Sequence, residues 1–372
     1  MNLPLIISGL AVGMIFGVTL QHGRFCMNTA FREVLLSRDF TVFRAYILAL
    51  LVSIIGANAL EQFGVIQLKA VPFTWVANML GGYIFGIGMV LGGGCATGTL
   101  YRVGEGMIGS WMAALGFLLA AAATLSGFLN PIAEFFWYGP GYNPEDPASA
   151  SFLYSPMDAE GNPIPVTLYN IFGVNRWLII ILIAVPAIIF ISKGNFKKPA
   201  TQKGFTWYTA GAMIGLISVI GFYSSQVWGG FPQARGLSFS GPLNEIALWF
   251  TGSQMTKQLQ TAVTASGGEL SGKLATAGTL SWSAWMLFGL VLGSLASALK
   301  HKEFSWRAPK GNSLATQFGG GLIMGFGGTL AGGCNVGHGL TGLTTLALGS
   351  LVGIIFIILG SWTMVYFLFI RE

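Results

Sequence analysis

Gly81-Gly82-Tyr83-Ile84-Phe85-Gly86-Ile87-Gly88-Met89-Val90-Leu91-Gly92-Gly93-Gly94-Cys95-Ala96-Thr97-Gly98 is answered 239 positions later. The second copy reads Gly320-Gly321-Leu322-Ile323-Met324-Gly325-Phe326-Gly327-Gly328-Thr329-Leu330-Ala331-Gly332-Gly333-Cys334-Asn335-Val336-Gly337. Ten of the eighteen positions are identical, seven of them glycine, and all in register. Compositional bias does not align residues this way. An apolar segment repeated across two halves of a chain and broken by glycine points to a transport site made where two half-repeats meet.

Composition agrees with a membrane setting. Hydrophobic residues make up 53% of the chain and charged residues 9%, with mean hydropathy +0.68; a soluble domain carries about 25% charge. The 54 glycines suit helices packed closely in lipid, where small residues let backbones approach. The run from Leu3 to Leu20 has no Lys or Arg ahead of it, so it reads as a first span and not as a cleaved leader. No basic cluster has the interleaved aromatics of a nucleic-acid binder, and none is expected as partner. No Gly-x4-Gly-Lys-Ser/Thr loop for ATP is present, and no cofactor is expected. Three cysteines, an odd number beside apolar spans, argue against a disulfide framework.

Nine spans are expected, at about 4–20, 43–60, 73–91, 108–130, 174–192, 206–226, 281–300, 314–331 and 349–370, each near the length needed to cross the hydrocarbon. Assigning the loops alternately puts fourteen of the 19 Lys and Arg on one side and five on the other. That bias places the N-terminus outside and the C-terminus in the cytoplasm. The fold expected is an all-α integral membrane protein with short re-entrant half-helices. Residues 1–130 form a first repeat, 131–205 hold an external loop, a connecting span and a cytoplasmic loop, and 206–372 form the second repeat. Five crossings separate the repeats, so they are inverted. The polar stretch 131–173, with Glu134, Glu145, Asp146, Asp158 and Glu160 but no Lys or Arg, reads as an external loop of turns. A second external stretch, 227–280, contains a short amphipathic piece from Pro242 to Phe250.

At each Gly-Gly-Cys the helix is expected to break and restart as a half-helix. Such irregular backbone survives at membrane depth only inside protein or along a cavity. Gly93 and Gly94 in one element, Gly332 and Gly333 in the other, let backbone N–H groups turn inward, and the restarting half-helix offers its positive end to an anion. Cys95, Thr97 and Gly98, with Cys334, Asn335, Gly337 and His338, supply thiols and ordinary polar contacts. Neither element holds an acidic residue, which disfavours a metal-cation path and a resident metal. A compact anion carrying a polarisable sulfur or selenium suits this lining. A thiol that binds it without reacting must stay protonated. Arg102 and Glu105, three apart, read as a gating or structural ion pair, and Arg24, two residues before Cys26, as a topology residue that also draws an anion inward.

Together, Gly23-Arg24-Phe25-Cys26, Gly93-Gly94-Cys95-x2-Gly98 with Arg102-x2-Glu105-Gly106, and Gly332-Gly333-Cys334-x2-Gly337 resemble the YeeE/YedE family of bacterial sulfur transport proteins. The resemblance implies a nine-span, hourglass-shaped protein of the bacterial inner membrane that takes up thiosulfate. It implies that Cys95, Cys334 and Cys26 contact the ion in turn through S–H···S hydrogen bonds, and it leaves room for a separate small cytoplasmic sulfur-carrier protein as partner. The alternatives are a transporter of sulfide, persulfide, sulfite or a selenium compound, a membrane sulfurtransferase-type thiol enzyme, and a soft-metal permease using Cys95, Cys334 and His338.

Overall fold

The computed structural model describes residues 3–142, 150–154, 165–194, 204–251 and 280–371. Glu145, Asp146, Asp158 and Glu160 of the acidic stretch, and 252–279 of the second external stretch, lie outside the described residues.

Helices occupy all nine expected places within a few residues. They are α1 (Leu3–Gly23), α3 (Thr41–Gln62), α4 (Trp75–Leu91), α6 (Ile108–Ser126), α9 (Arg176–Ser192), α10 (Trp207–Val227), α12 (Trp282–Lys300), α13 (Gly311–Leu330) and α14 (Leu348–Val365). Among the described residues, seven helical stretches are long and apolar enough to cross a bilayer. The two other places are α9, an apolar helix of 17 residues, and the Gly-rich α13, which is less apolar. The exposed face of α9 is a stripe of Leu178, Leu182, Val185 and Ile189 at helical spacing, with Leu182 66% exposed. An apolar stripe on this scale needs a lipid or protein cover, and the protein is a multi-pass integral membrane protein.

Shorter helices lie between these: α2 (Met27–Leu36), α5 (Ala96–Gly104), α7 (Asn130–Tyr138), α8 (Leu168–Phe172) and α11 (Ser240–Thr251). The stretch 131–173 is therefore more than turns. Its first part is α7, opened by Pro131 at a position where a missing N–H costs nothing. Its middle contributes β2 (Leu153–Tyr154), paired antiparallel with β1 (Phe73–Thr74). Thr74 and Leu153 sit opposite each other, and this pairing of residues far apart in sequence carries no local signal.

Glycine decides the packing. A Cβ on Gly81 would meet Ala331 N, one on Gly88 would meet Met324 N, and one on Gly320 would meet Gly92 N. Positions rise along α4 as they fall along α13, so the two helices cross antiparallel with backbones in contact. A Cβ on Gly327 meets Phe85 N at 2.4 Å just as one on Gly88 meets Met324 N at 2.4 Å, the same contact seen from each copy. On the outer flanks, Gly82 lies against Gly353 O and Gly86 against Ile357 O, while their counterparts Gly321 and Gly325 lie against Ala113 O and Phe117 O. Gly9, Gly13 and Gly17 of α1 pack in the same fashion on α12, and Gly211 and Gly215 of α10 on α3.

Candidate functional site

The three cysteines follow one backbone pattern. α4 ends in a Schellman motif, in which a left-handed residue closes the helix through two reversed hydrogen bonds. Gly93, at φ +74°, sends its N–H to Val90 O at 3.2 Å, and Gly94 sends its own to Met89 O at 3.0 Å. α13 ends identically: Gly332 is at φ +73°, with Gly332 N to Thr329 O at 3.2 Å and Gly333 N to Gly328 O at 3.0 Å. α1 ends the same way with no glycine at the critical place. Arg24 takes φ +49°, Arg24 N reaches Gln21 O at 3.3 Å and Phe25 N reaches Leu20 O at 3.2 Å. In each case the cysteine is two residues beyond the left-handed position, where the next helix begins.

At such a start four N–H groups lack helical partners. Serine or aspartate oxygen commonly accepts one of them; here sulfur does. Gly98 N donates to Cys95 Sγ at 3.3 Å, and Gly337 N donates to Cys334 Sγ at 3.4 Å. The sulfur lone pair is thereby engaged while the S–H stays available to donate outward. Cys26 caps α2 by position, with no such bond. All three thiols are free and buried, at 2% exposure or less.

Cys26 Sγ and Cys95 Sγ lie 3.9 Å apart, and Thr97 Oγ1 is 3.2 Å from Cys95 Sγ. Cys334 makes no hydrogen-bond-range contact with either of the other sulfurs. Its neighbour Asn335 is fully buried, and neither atom of its amide completes a hydrogen bond. Thr99 Oγ1 is likewise buried without a partner. Buried polar atoms left open cost free energy.

His338 has a different situation. One ring nitrogen is 2.9 Å from Ala331 O and the other 3.3 Å from Ser350 Oγ, so both are occupied by protein. The ring holds the α13 break shut. Arg102 does the corresponding work at the α4 break, donating to Gly93 O.

The expected Arg102–Glu105 pair does not form. α5 ends at Gly104 and Glu105 is its C-cap, so helical spacing no longer governs where that carboxylate points. Glu105 Oε1 instead accepts from Arg24 Nη1 at 2.5 Å, and Glu303 Oε2 accepts from Arg24 Nη2 at 2.7 Å. Gln21 Nε2 donates to the same two carboxylates at 3.1 and 2.6 Å, and Ser297 donates to Gln21 Oε1 at 2.5 Å. Sequence reading missed Gln21 and Glu303. A glutamine ending an apolar span was a usable signal; Glu303, 282 residues from Gln21, gave none.

Comparison with known proteins agrees with this geometry. The profile described as sulphur transport matches residues 22–363. The thiosulfate transporter TsuA of Spirochaeta thermophila is 35% identical over 365 residues, 98% of this chain and 99% of that protein. The thiosulfate transporter TsuA of Escherichia coli is 29% identical over 384 residues, 99% and 96% of the two chains. A probable transporter, YedE of Salmonella typhimurium, shares 35% identity over 117 residues, 30% of this chain. With a match of this extent running through all three cysteine elements, the chain belongs to the sulphur transport (YeeE/YedE) family and is a transport protein, not an enzyme.

Proposed function

We propose that this protein is an uptake transporter for thiosulfate in the bacterial inner membrane, passing the anion along cysteine thiols at a central constriction. The observation that carries the reading is the Cys26–Cys95 thiol pair at 3.9 Å, buried where two broken helices meet. A sulfur that accepts an amide N–H and keeps its own S–H free is a neutral, weak donor. That suits the terminal sulfur of thiosulfate, a soft acceptor. The oxygens of the ion would meet the open Asn335 amide, the Thr99 hydroxyl and glycine amides near the helix starts.

In this reading all nine helices span the membrane and the two repeats are inverted about an axis in its plane. The antiparallel α4–α13 crossing, with copy-for-copy contacts, supports that arrangement. α2, α5 and the turn 337–342 are the non-spanning halves of an hourglass. The ion enters past Cys334, reaches Cys95, and leaves past Cys26 to the side richer in Lys and Arg, where a small sulfur-carrier protein consuming it would draw the flow. The test is uptake of labelled thiosulfate into proteoliposomes holding the purified protein. Uptake is expected to saturate and to be lost in Cys95→Ser; normal uptake by that variant overturns the relay.

A further inference from the structure

Beside the α4 break is a cavity of about 240 Å³ that Gly92 and Gly93 help to line. Its lining includes Gly93, Arg102, Gly109, Ser110, Arg307 and Gln317, and no carboxylate. The space is that of several waters, enough for a tetrahedral oxyanion.

Arg102 holds the α4 break through one donation to Gly93 O and lies over the Tyr101 ring. No carboxylate among the described residues is within ion-pair distance of it, because Glu105 is taken by Arg24. Arg307 lines the same cavity, held there by a short ladder: Ile108 N donates to Arg307 O at 3.0 Å and Arg307 N to Gly106 O at 3.2 Å. Arg307 donates to Ser305 Oγ and Glu303 O and pairs with no carboxylate either. Two arginines therefore line a cavity with no carboxylate in its wall, and the charge of Arg102, which is part-buried, is costly unless compensated.

Gln317 adds a polar group to the same wall. Its Oε1 is buried with no partner. The amide packs into the space left by the missing Cβ of Gly109, which would fall 1.6 Å from that oxygen. The nitrogen and oxygen of an amide exchange by rotation about one bond, so the same group presents N–H donors to an anion.

The other repeat shows what the cavity is not for. Gln317 and Gly109 correspond to Asn78 and Gly349. There Asn78 Nδ2 donates to Ala331 O at 2.8 Å, and His338 secures the same carbonyl. That half holds its break with an amide and an imidazole, without a guanidinium. Latching alone does not require the charge that Arg102 brings.

We infer that this cavity is a second anion site, which holds a small tetrahedral oxyanion through Arg102, Arg307, Ser110 and Gln317. It recognises oxygen and charge, since no thiol lines it. Sulfate and thiosulfate should therefore both fill it, in contrast to the thiol throat. The site rests on the proposed transport reading only for its role as the station after the throat; occupancy by oxyanion stands on its own.

Equilibrium dialysis of labelled sulfate against the purified full-length protein tests it, at low and at raised ionic strength. Saturable binding that weakens with salt is expected, and it should survive in Cys95→Ser, whose thiosulfate uptake is lost. Gln317→Glu, which puts a negative charge in the cavity, and Arg307→Gln, at an exposed position that folding tolerates, should each weaken binding about tenfold or more. Absence of saturable sulfate binding, or binding indifferent to both substitutions, overturns the inference. Sulfate bound and lost in these variants while thiosulfate uptake is absent from wild type would sink the transport reading and leave the anion site standing.

Discussion

Gly98 faces Cys26 across an empty Cβ position: a methyl there would fall 2.7 Å from Cys26 Sγ and 3.4 Å from Cys95 Sγ. The approach of the two thiols depends on that missing atom. Its counterpart Gly337 is different, since a Cβ there would find Ser238 Oγ at 3.6 Å and Cys334 Sγ at 3.8 Å, which is ordinary contact.

Gly98→Ala is accordingly expected to reduce thiosulfate uptake by about tenfold or more, the cost of forcing atoms into a packed site being about 1–3 kcal/mol. Gly337→Ala should leave uptake within about twofold of wild type. Initial rates in proteoliposomes compare the two, and equal behaviour of both would refute the idea that thiol spacing governs passage.

Serine substitutions separate the three sulfurs. Cys26→Ser and Cys95→Ser should each abolish uptake while the purified protein keeps its thermal transition, because serine is nearly isosteric and caps a helix well. Cys334 stands apart from the pair, so Cys334→Ser asks whether the third sulfur is on the path. A raised KM with the maximal rate kept is expected and would place it at the entry, before the pair; an unchanged KM would take it off the path.

The Arg24 network is predicted to be strongly non-additive. Glu105→Gln leaves Arg24 with Glu303 and should destabilise by about 1–2 kcal/mol, near the value of one charged hydrogen bond. Arg24→Gln removes both pairs and leaves Glu105, only 7% exposed in its side chain, without its cation. A double-mutant cycle read by thermal unfolding should return a coupling above about 0.5 kcal/mol, as for contacting charged groups. Simple additivity would mean that the ion pairs contribute nothing in solution.

The two-copy packing has its own test. Gly88→Ala and Gly327→Ala place a Cβ 2.4 Å from a backbone nitrogen on the facing helix, in symmetric positions. Both should lower the unfolding temperature, and by similar amounts, while Gly319→Ala, where nothing lies within 4 Å, should not. Unequal losses at the first two sites would show that the copies do not share the load.

The apolar helices and their breaks were legible in the sequence because both leave local signals. Each such helix needs its length of apolar residues, and two of the three Schellman turns take glycine at the left-handed residue. The thiols were legible because the second copy repeated them in register. The side-chain partners were harder. The spacing of Arg102 and Glu105 suggested a pair only on the assumption that the helix continued past Gly104, which it does not. The polar character of His338 suggested a contact to the ion, whereas its two nitrogens are tied to Ala331 and Ser350. The missing Arg102–Glu105 pair traces to contacts made across the fold, from Arg24 to Glu105 and Glu303, which a one-dimensional pattern does not carry.

Of the three left-handed turns that precede the sulfurs, two are built from glycine and one from arginine. A left-handed arginine costs about 1–2 kcal/mol where glycine costs almost nothing, and the two carboxylates gripping its guanidinium offset that penalty. The turns before Cys95 and Cys334 are thus fixed by covalent shape. The turn before Cys26 is kept in place by an electrostatic clasp, so of the three it is the one whose hold weakens with salt.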